Sequence, residues 1–144
     1  MLPSSLATLL NRLAFGGVAL FMLLTLLLWI VNAAAHPFVA AAALSYGALM
    51  VALLSGVHWG VVLRDPEHHT PLLVAWPVVP TFIAWLAAQM PPYSGLPLLG
   101  LVFVACYWVD RKTWPAAGLG PWLTQRFRLT ALCTLCCVLG AAAT

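Results

Sequence analysis

The sequence predicts an all-α polytopic membrane protein, a bundle of five transmembrane helices, and three observations lead there. Of its 144 residues 64% are hydrophobic and only 6% charged, whereas an ordinary soluble domain carries about 25% charged residues. The apolar residues gather into long runs near the roughly 20 residues that cross hydrocarbon, and mean hydropathy is +1.03. The few cationic residues all fall at alternate ends of those runs.

The spans are expected at about 14–35, 39–63, 71–90, 96–110 and 127–144, in one transmembrane domain covering 1–144. Backbone groups in lipid must pair internally, so the spans are helices. The first follows Arg12 and runs through Leu13 to Val31. Ala33-Ala34-Ala35 looks like a signal-peptide cleavage site, but the run exceeds the roughly 7–15 apolar residues of a signal peptide and reads as an uncleaved span. Ala48, Ala52, Gly56 and Gly60 recur every four residues in the second span, a small-residue stripe that lets another helix approach closely. In the third, Trp76-Pro77-Val78-Val79-Pro80 calls for a helix beginning near Pro77 or a kink at Pro80. Before the fifth, Trp114 to Leu123 mixes Trp with two Pro and two Gly, and reads as a segment along the membrane interface.

With these spans the N-terminus, the loop at about 64–70 and the loop at about 111–126 share one side. That side receives Arg12, Arg64, Arg111, Lys112, Arg126 and Arg128, which are all six Lys+Arg residues. The positive-inside rule puts the N-terminus in the cytoplasm and the C-terminus outside. Trp59, Trp76, Trp108, Trp114 and Trp122 then fall near the inner boundary and Trp29 and Trp85 near the outer one, as interfacial indoles prefer. A bacterial inner membrane, or the mitochondrial inner membrane in a eukaryote, is the expected location.

His58, in Gly56-Val57-His58-Trp59-Gly60, reads as the one ionisable residue inside a span, and such residues face a partner, a ligand or water. It lies about 9 Å of helix rise from Arg64. Asp110 and Arg111 close the fourth span at a similar depth, and Asp110 is a candidate partner for His58, Arg64 or Arg111. Two accounts stand for His58: an imidazole bonded to a neighbouring carbonyl or hydroxyl, or a ligand or proton site with Trp59, Asp110, Arg111 and Arg64 around it. Ala52, Gly56 and Gly60 are the expected helix-packing positions, facing this chain's own helices or those of a membrane partner or second copy.

Arg64-Asp65-Pro66-Glu67-His68-His69 gathers carboxylates and imidazoles but matches no metal-ligand spacing. Cys106, Cys133, Cys136 and Cys137 all lie in apolar runs, which suits packing better than disulfides. Phosphate loops, Ser-His-Asp sets, H-E-x-x-H and paired catalytic carboxylates are absent. Only His58 sits where a haem iron would need two imidazoles. No basic stripe with stacking aromatics suggests nucleic acid. The expectation is no catalytic residue, no metal and no cofactor, with the lipid bilayer as the constant partner.

The chain resembles the family of domain of unknown function 3429, which includes the mitochondrial transmembrane protein 69. Tyr46-Gly47-Ala48, Leu54-Ser55-Gly56-Val57-His58-Trp59-Gly60, Trp76-Pro77 with Pro80, and Ala84-Trp85-Leu86 carry the likeness. Asp110-Arg111, Gly118-Leu119, Pro121-Trp122, Arg126 and Arg128-Leu129-Thr130 continue it. The first span matches only in hydrophobic character. The resemblance implies a small multi-pass protein of a bacterial inner membrane or a mitochondrion, and it draws attention to His58, Trp59, Asp110 and Arg111. It implies no mechanism. The functional expectation is a non-enzymatic accessory or assembly partner of a membrane complex. The alternative is an intramembrane site for a quinone, a lipid or a proton-coupled small molecule around His58.

Overall fold

The computed structural model describes residues 3–64, 67, 71–116 and 118–144. Among the described residues, five helices or helix pairs are long and apolar enough to cross a membrane: Ser4–Ile30, His36–Arg64, Pro71–Gln89, Pro92–Thr113 and Gly120–Ala143. Within them the elements are α1 (Ser4–Ile30), α2 (His36–Ser55), α3 (Val57–Arg64), α4 (Pro71–Ala75), α5 (Val78–Gln89), α6 (Pro92–Thr113) and α7 (Leu123–Ala143), with a 3-10 turn at Gly120–Trp122.

The helix ends differ from the sequence expectation for local reasons. Helix α1 starts just after Pro3, so Arg12 lies inside it rather than ahead of it, and it stops at Ile30. There Asn32 Oδ1 accepts the Ala35 N–H at 2.9 Å, and the chain turns before Pro37 sits in the first turn of α2, where a missing N–H costs nothing. Ala33-Ala34-Ala35 therefore forms the turn, not the end of the first span. The second span is broken at Gly56, between α2 and α3. Both expectations for the third span are resolved at Pro77: a short α4 ends at Ala75, and α5 starts at Val78 with Pro80 in its first turn. Helix α6 is longer than expected because Pro92 opens it and Pro97 is carried within it.

Helix α2 packs against α1, α5, α6 and α7 and is the centre of the bundle. Its contact face is Ala40, Ala43, Leu44, Gly47, Met50, Val51 and Ser55, packed against the fully buried Phe21 of α1 and Leu96, Leu99 and Phe103 of α6. Gly47 is the closest approach. A Cβ there would come within 2.9 Å of Leu99 Cδ1 and 3.1 Å of Phe21 Cζ. Beside it Tyr46 stacks edge-on against Phe21 with centroids 5.9 Å apart, and its hydroxyl donates to the Gly17 carbonyl at 2.6 Å. Ser55, small and buried, places its hydroxyl 3.4 Å from that of Thr81 on α5.

The expected packing role of Gly56 and Gly60 within the bundle is not what holds α2 and α3 in place. A Cβ on Gly60 would meet nothing within 4 Å, and one on Gly56 would meet only its own helix backbone at Ala52 and Leu53. Buried positions step through Val51, Ser55 and His58. Two residues turn a helix by about 200°, so Gly56 and Gly60 point away from the stripe that contains His58.

Candidate functional site

Each of three helices ends its buried stripe, at the same end of the bundle, on an ionisable side chain. On α6 the stripe runs through Leu96, Leu99, Phe103 and Cys106 to Asp110. On α7 it runs back from Gly140 through Cys137, Cys133 and Leu129 to Arg126. On α2 and α3 it closes at His58. Asp110 bridges the other two: His58 Nε2 lies 2.6 Å from Asp110 Oδ1, and Arg126 Nε donates to Oδ2 at 2.6 Å. Relative exposures are 5% for His58, 1% for Asp110 and 2% for Arg126. Both carboxylate oxygens are engaged, so the carboxylate is held by the two partners that could offset its burial.

Of the four residues expected around His58, Asp110 is the one for which a bond to the imidazole is seen among the described residues. Trp59 faces outward and its indole N–H donates to the Val74 carbonyl of α4 at 2.8 Å. Arg111 lies on the outside, where it lines a groove of about 620 Å³ between α6 and α7 with Tyr107, Phe127, Thr130 and Thr134. Arg64 lines a wider cleft with Asn11, Gly60, Gln125 and Arg128 at the same end of the molecule. The candidate metal run falls largely outside the described residues, since Asp65, Pro66, His68 and His69 are not among them. Cys133 and Cys137 are fully buried in the core, and all four cysteines are free.

Two expectations are corrected here. His58 is not the one ionisable residue in the spans, because Asp110 and Arg126 are buried within helices as well. Arg126 is not a loop charge: α7 begins at Leu123, four residues earlier than expected, and carries Arg126 into the bundle. The available signal was its spacing, since Arg126, Leu129, Thr130, Cys133, Cys136, Cys137 and Gly140 follow the three-and-four step of a core-facing helix stripe. Trp114 is also buried, at 7% exposure.

The segment between α6 and α7 folds inward to do this. The Trp114 N–H closes α6 on the Asp110 carbonyl at 2.8 Å, and the Leu119 N–H returns to the Trp114 carbonyl at 2.9 Å. Gly118 takes φ +80°, a conformation that disfavours a side chain, and so lets the chain reverse tightly into α7. This reversal lays Trp114, Leu119 and Trp122 against Arg126. With Leu10 and Ala14 of α1, Leu54 and Val57 at the Gly56 break, and Gln125 and Leu129, they line a cavity of about 220 Å³. Arg126 spends only Nε on Asp110. Its Nη1 and Nη2, and the indole nitrogen of Trp114, are buried without a hydrogen-bond partner among the described residues.

The fold and this centre define a class: a small multi-pass helical membrane protein whose core ends in a buried His–Asp–Arg cluster. The family described as protein of unknown function (DUF3429) matches residues 6–142, and the chain belongs to that family. The match takes in the first span, beyond the segment that carries the resemblance in sequence. No curated protein and no solved structure matches the chain significantly.

Proposed function

We propose that this chain is a non-enzymatic intramembrane binding protein, holding a small amphipathic molecule in the cavity beside Arg126. One observation carries the reading: Arg126, 2% exposed and with neither terminal nitrogen bonded among the described residues, is one of the residues that line a mostly apolar cavity. Buried polar groups without partners are expensive and rare, so a ligand whose polar group reached Arg126 would be stabilised there. A mostly apolar pocket with a few convergent polar groups is the usual form of a small-molecule site. His58 and Asp110 act in this reading by orienting Arg126 and offsetting its charge, while Trp59, Arg111 and Arg64 stand outside the site.

The location that fits is a bacterial inner membrane, or the mitochondrial inner membrane in a eukaryote. The basic end, with Arg64, Arg111, Lys112 and Arg128, would face the cytoplasm. The cavity then opens in the inner leaflet.

Native mass spectrometry of the chain released from mild detergent tests the binding reading. A retained small amphiphile, lost on Ala14→Phe, is expected. A chain carrying no small molecule in either form would refute it. The accessory-partner reading draws on a different observation, the uncovered Gly56–Gly60 face. A partner or second copy seated there should crosslink at Gly60→Cys in native membranes.

A further inference from the structure

We propose that the groove between α6 and α7 seats one acyl chain of an anionic glycerophospholipid, with the lipid's head on Arg111 and Lys112. This groove shares no lining residue with the cavity beside Arg126, so either reading can fail without the other. Its α6 wall is Val104, Tyr107, Trp108 and Arg111. Its α7 wall includes Phe127, Ala131, Leu135 and Val138. Each set recurs at the three-and-four step that keeps side chains on one helix face. The Tyr107 and Phe127 rings meet edge-on, with centroids 5.4 Å apart, and so join the two walls at the basic end.

Shape and surface suit a lipid chain. The groove has a volume of about 620 Å³. From Phe127 to Val138 its α7 wall rises roughly 16 Å, at about 1.5 Å per residue. That is close to half of the roughly 30 Å hydrocarbon core, the depth of one leaflet. Val104, Leu135 and Val138 are about half exposed, while the hydroxyls of Thr130 and Thr134 are covered. An occupant therefore meets mostly carbon along the groove, and charge only at its end.

That charge selects the head. Arg111 is exposed and makes no ion pair or hydrogen bond among the described residues. Lys112 lies over the Trp108 ring, 4.7 Å from its centroid, and brings a second exposed cation to the same end. Asp110, their neighbour in sequence, offsets neither, because it is buried and held by His58 and Arg126. A zwitterionic head would add its own cation to this end, whereas an anionic head adds none. Arg111 and Lys112 stand about 100° apart around the helix. One head that reaches both must be extended, as a phosphodiester with its glycerol is and a bare carboxylate is not.

The test is native mass spectrometry of the full chain released from nanodiscs of phosphatidylglycerol and phosphatidylcholine in equal parts, with identical acyl chains. Phosphatidylglycerol should be retained at least about tenfold over phosphatidylcholine, since each interfacial cation is worth about fivefold toward an anionic lipid. Arg111→Gln and Lys112→Gln should each cut that preference about fivefold. Ala131→Phe, which fills the groove, should abolish retention. All three positions are exposed, so unfolding should be unchanged. Arg128→Gln removes a cation that lines a different cleft and should leave the preference intact. So should Ala14→Phe, which blocks the cavity beside Arg126. Equal retention of the two lipids, or an equal loss in Arg128→Gln and Arg111→Gln, would overturn the proposal, leaving a general attraction of anionic lipid to a basic end. Undiminished retention in Ala131→Phe would remove the chain from the groove and overturn it as well. If no lipid is retained the proposal fails, and crosslinking of Leu135→Cys in native membranes would then point to a partner helix as the occupant.

Discussion

Replacing Asp110 by Asn tests whether the buried cluster holds the basic end of the bundle together. The substitution keeps the side chain's size and removes its charge. Asp110 is 1% exposed and accepts two hydrogen bonds of 2.6 Å, one from α7 and one shared with the imidazole of α3. Asn offers one acceptor oxygen, so its amide group must face a donor. Arg126, 2% exposed, is left with an uncompensated charge. Removing one partner of a buried ion pair costs about 3–5 kcal/mol in proteins. Interhelical polar contacts in membranes run lower, about 0.6–2 kcal/mol, because the unfolded chain in the membrane also finds partners. The stranded cation places Asp110→Asn with the first class, at about 3 kcal/mol, a shift of roughly 100-fold in the folded-to-unfolded ratio.

Unfolding in mixed micelles of rising SDS content measures that ratio. His58→Ala should cost less, about 1–2 kcal/mol, because the Asp110–Arg126 pair survives it. The double variant Asp110→Asn with Arg126→Gln should be more stable than the sum of its single changes predicts, by at least about 1.5 kcal/mol, since neutralising both partners removes the stranded charge. An Asp110→Asn protein within about 0.5 kcal/mol of the parent, or strict additivity in the double variant, would refute the ion-pair argument.

Four further changes read the packing. Gly47→Ala should cost about 1–3 kcal/mol in the same titration, because its Cβ would stand 2.9 Å from Leu99 Cδ1. Gly60→Ala should stay within about 0.5 kcal/mol, as nothing lies within 4 Å of its Cβ position; equal costs at the two sites would mean that Gly60 is packed after all. Tyr46→Phe removes the 2.6 Å bond to the Gly17 carbonyl and should cost about 1 kcal/mol; an unchanged midpoint would show that bond to be idle. Gly118→Ala, at φ +80°, should cost about 1–2 kcal/mol and loosen the reversal that buries Trp114, which its intrinsic fluorescence would report as a red shift.

Hydropathy was enough to read the five spans, because roughly 20 apolar residues in a row have few other uses. The boundaries were less legible where polar chemistry decides them. Asn32 ends the first turn by accepting the Ala35 N–H, and nothing in the apolarity of Ala33-Ala34-Ala35 signals that. Arg126 was missed because the positive-inside rule treats cationic residues as loop markers, and five of the six such residues at this end invite the same treatment of the remaining one. Asp110 was found as a partner for His58 because both sit at the end of an apolar run at similar depth. The orphaned donors of Arg126 and Trp114 depend on how residues 114–122 fold back, a tertiary fact that composition does not carry.

The small-residue stripe and His58 illustrate how periodicity could have decided between rival readings. Gly56 and Gly60 lie two residues to either side of His58, about 200° away on an ideal helix, so the bundle can bury one set or the other. The neighbouring sequence favours His58. Counting back from it by three and four reaches Ser55, Val51, Gly47, Leu44 and Ala40, all buried, whereas the same step from Gly60 reaches Gly56, Ala52 and Ala48, none of them buried. The same count on α6 and α7 ends on Asp110 and Arg126. Three core stripes that each finish on a complementary ionisable residue at one end of a bundle are mutually consistent only if those residues meet. Burying any one of them alone would strand a charge or a polar ring in the core. That requirement leaves Gly56 and Gly60 outside, and turns the Trp114–Trp122 reversal inward to cover the cluster. It also leaves two guanidinium nitrogens that no described residue satisfies.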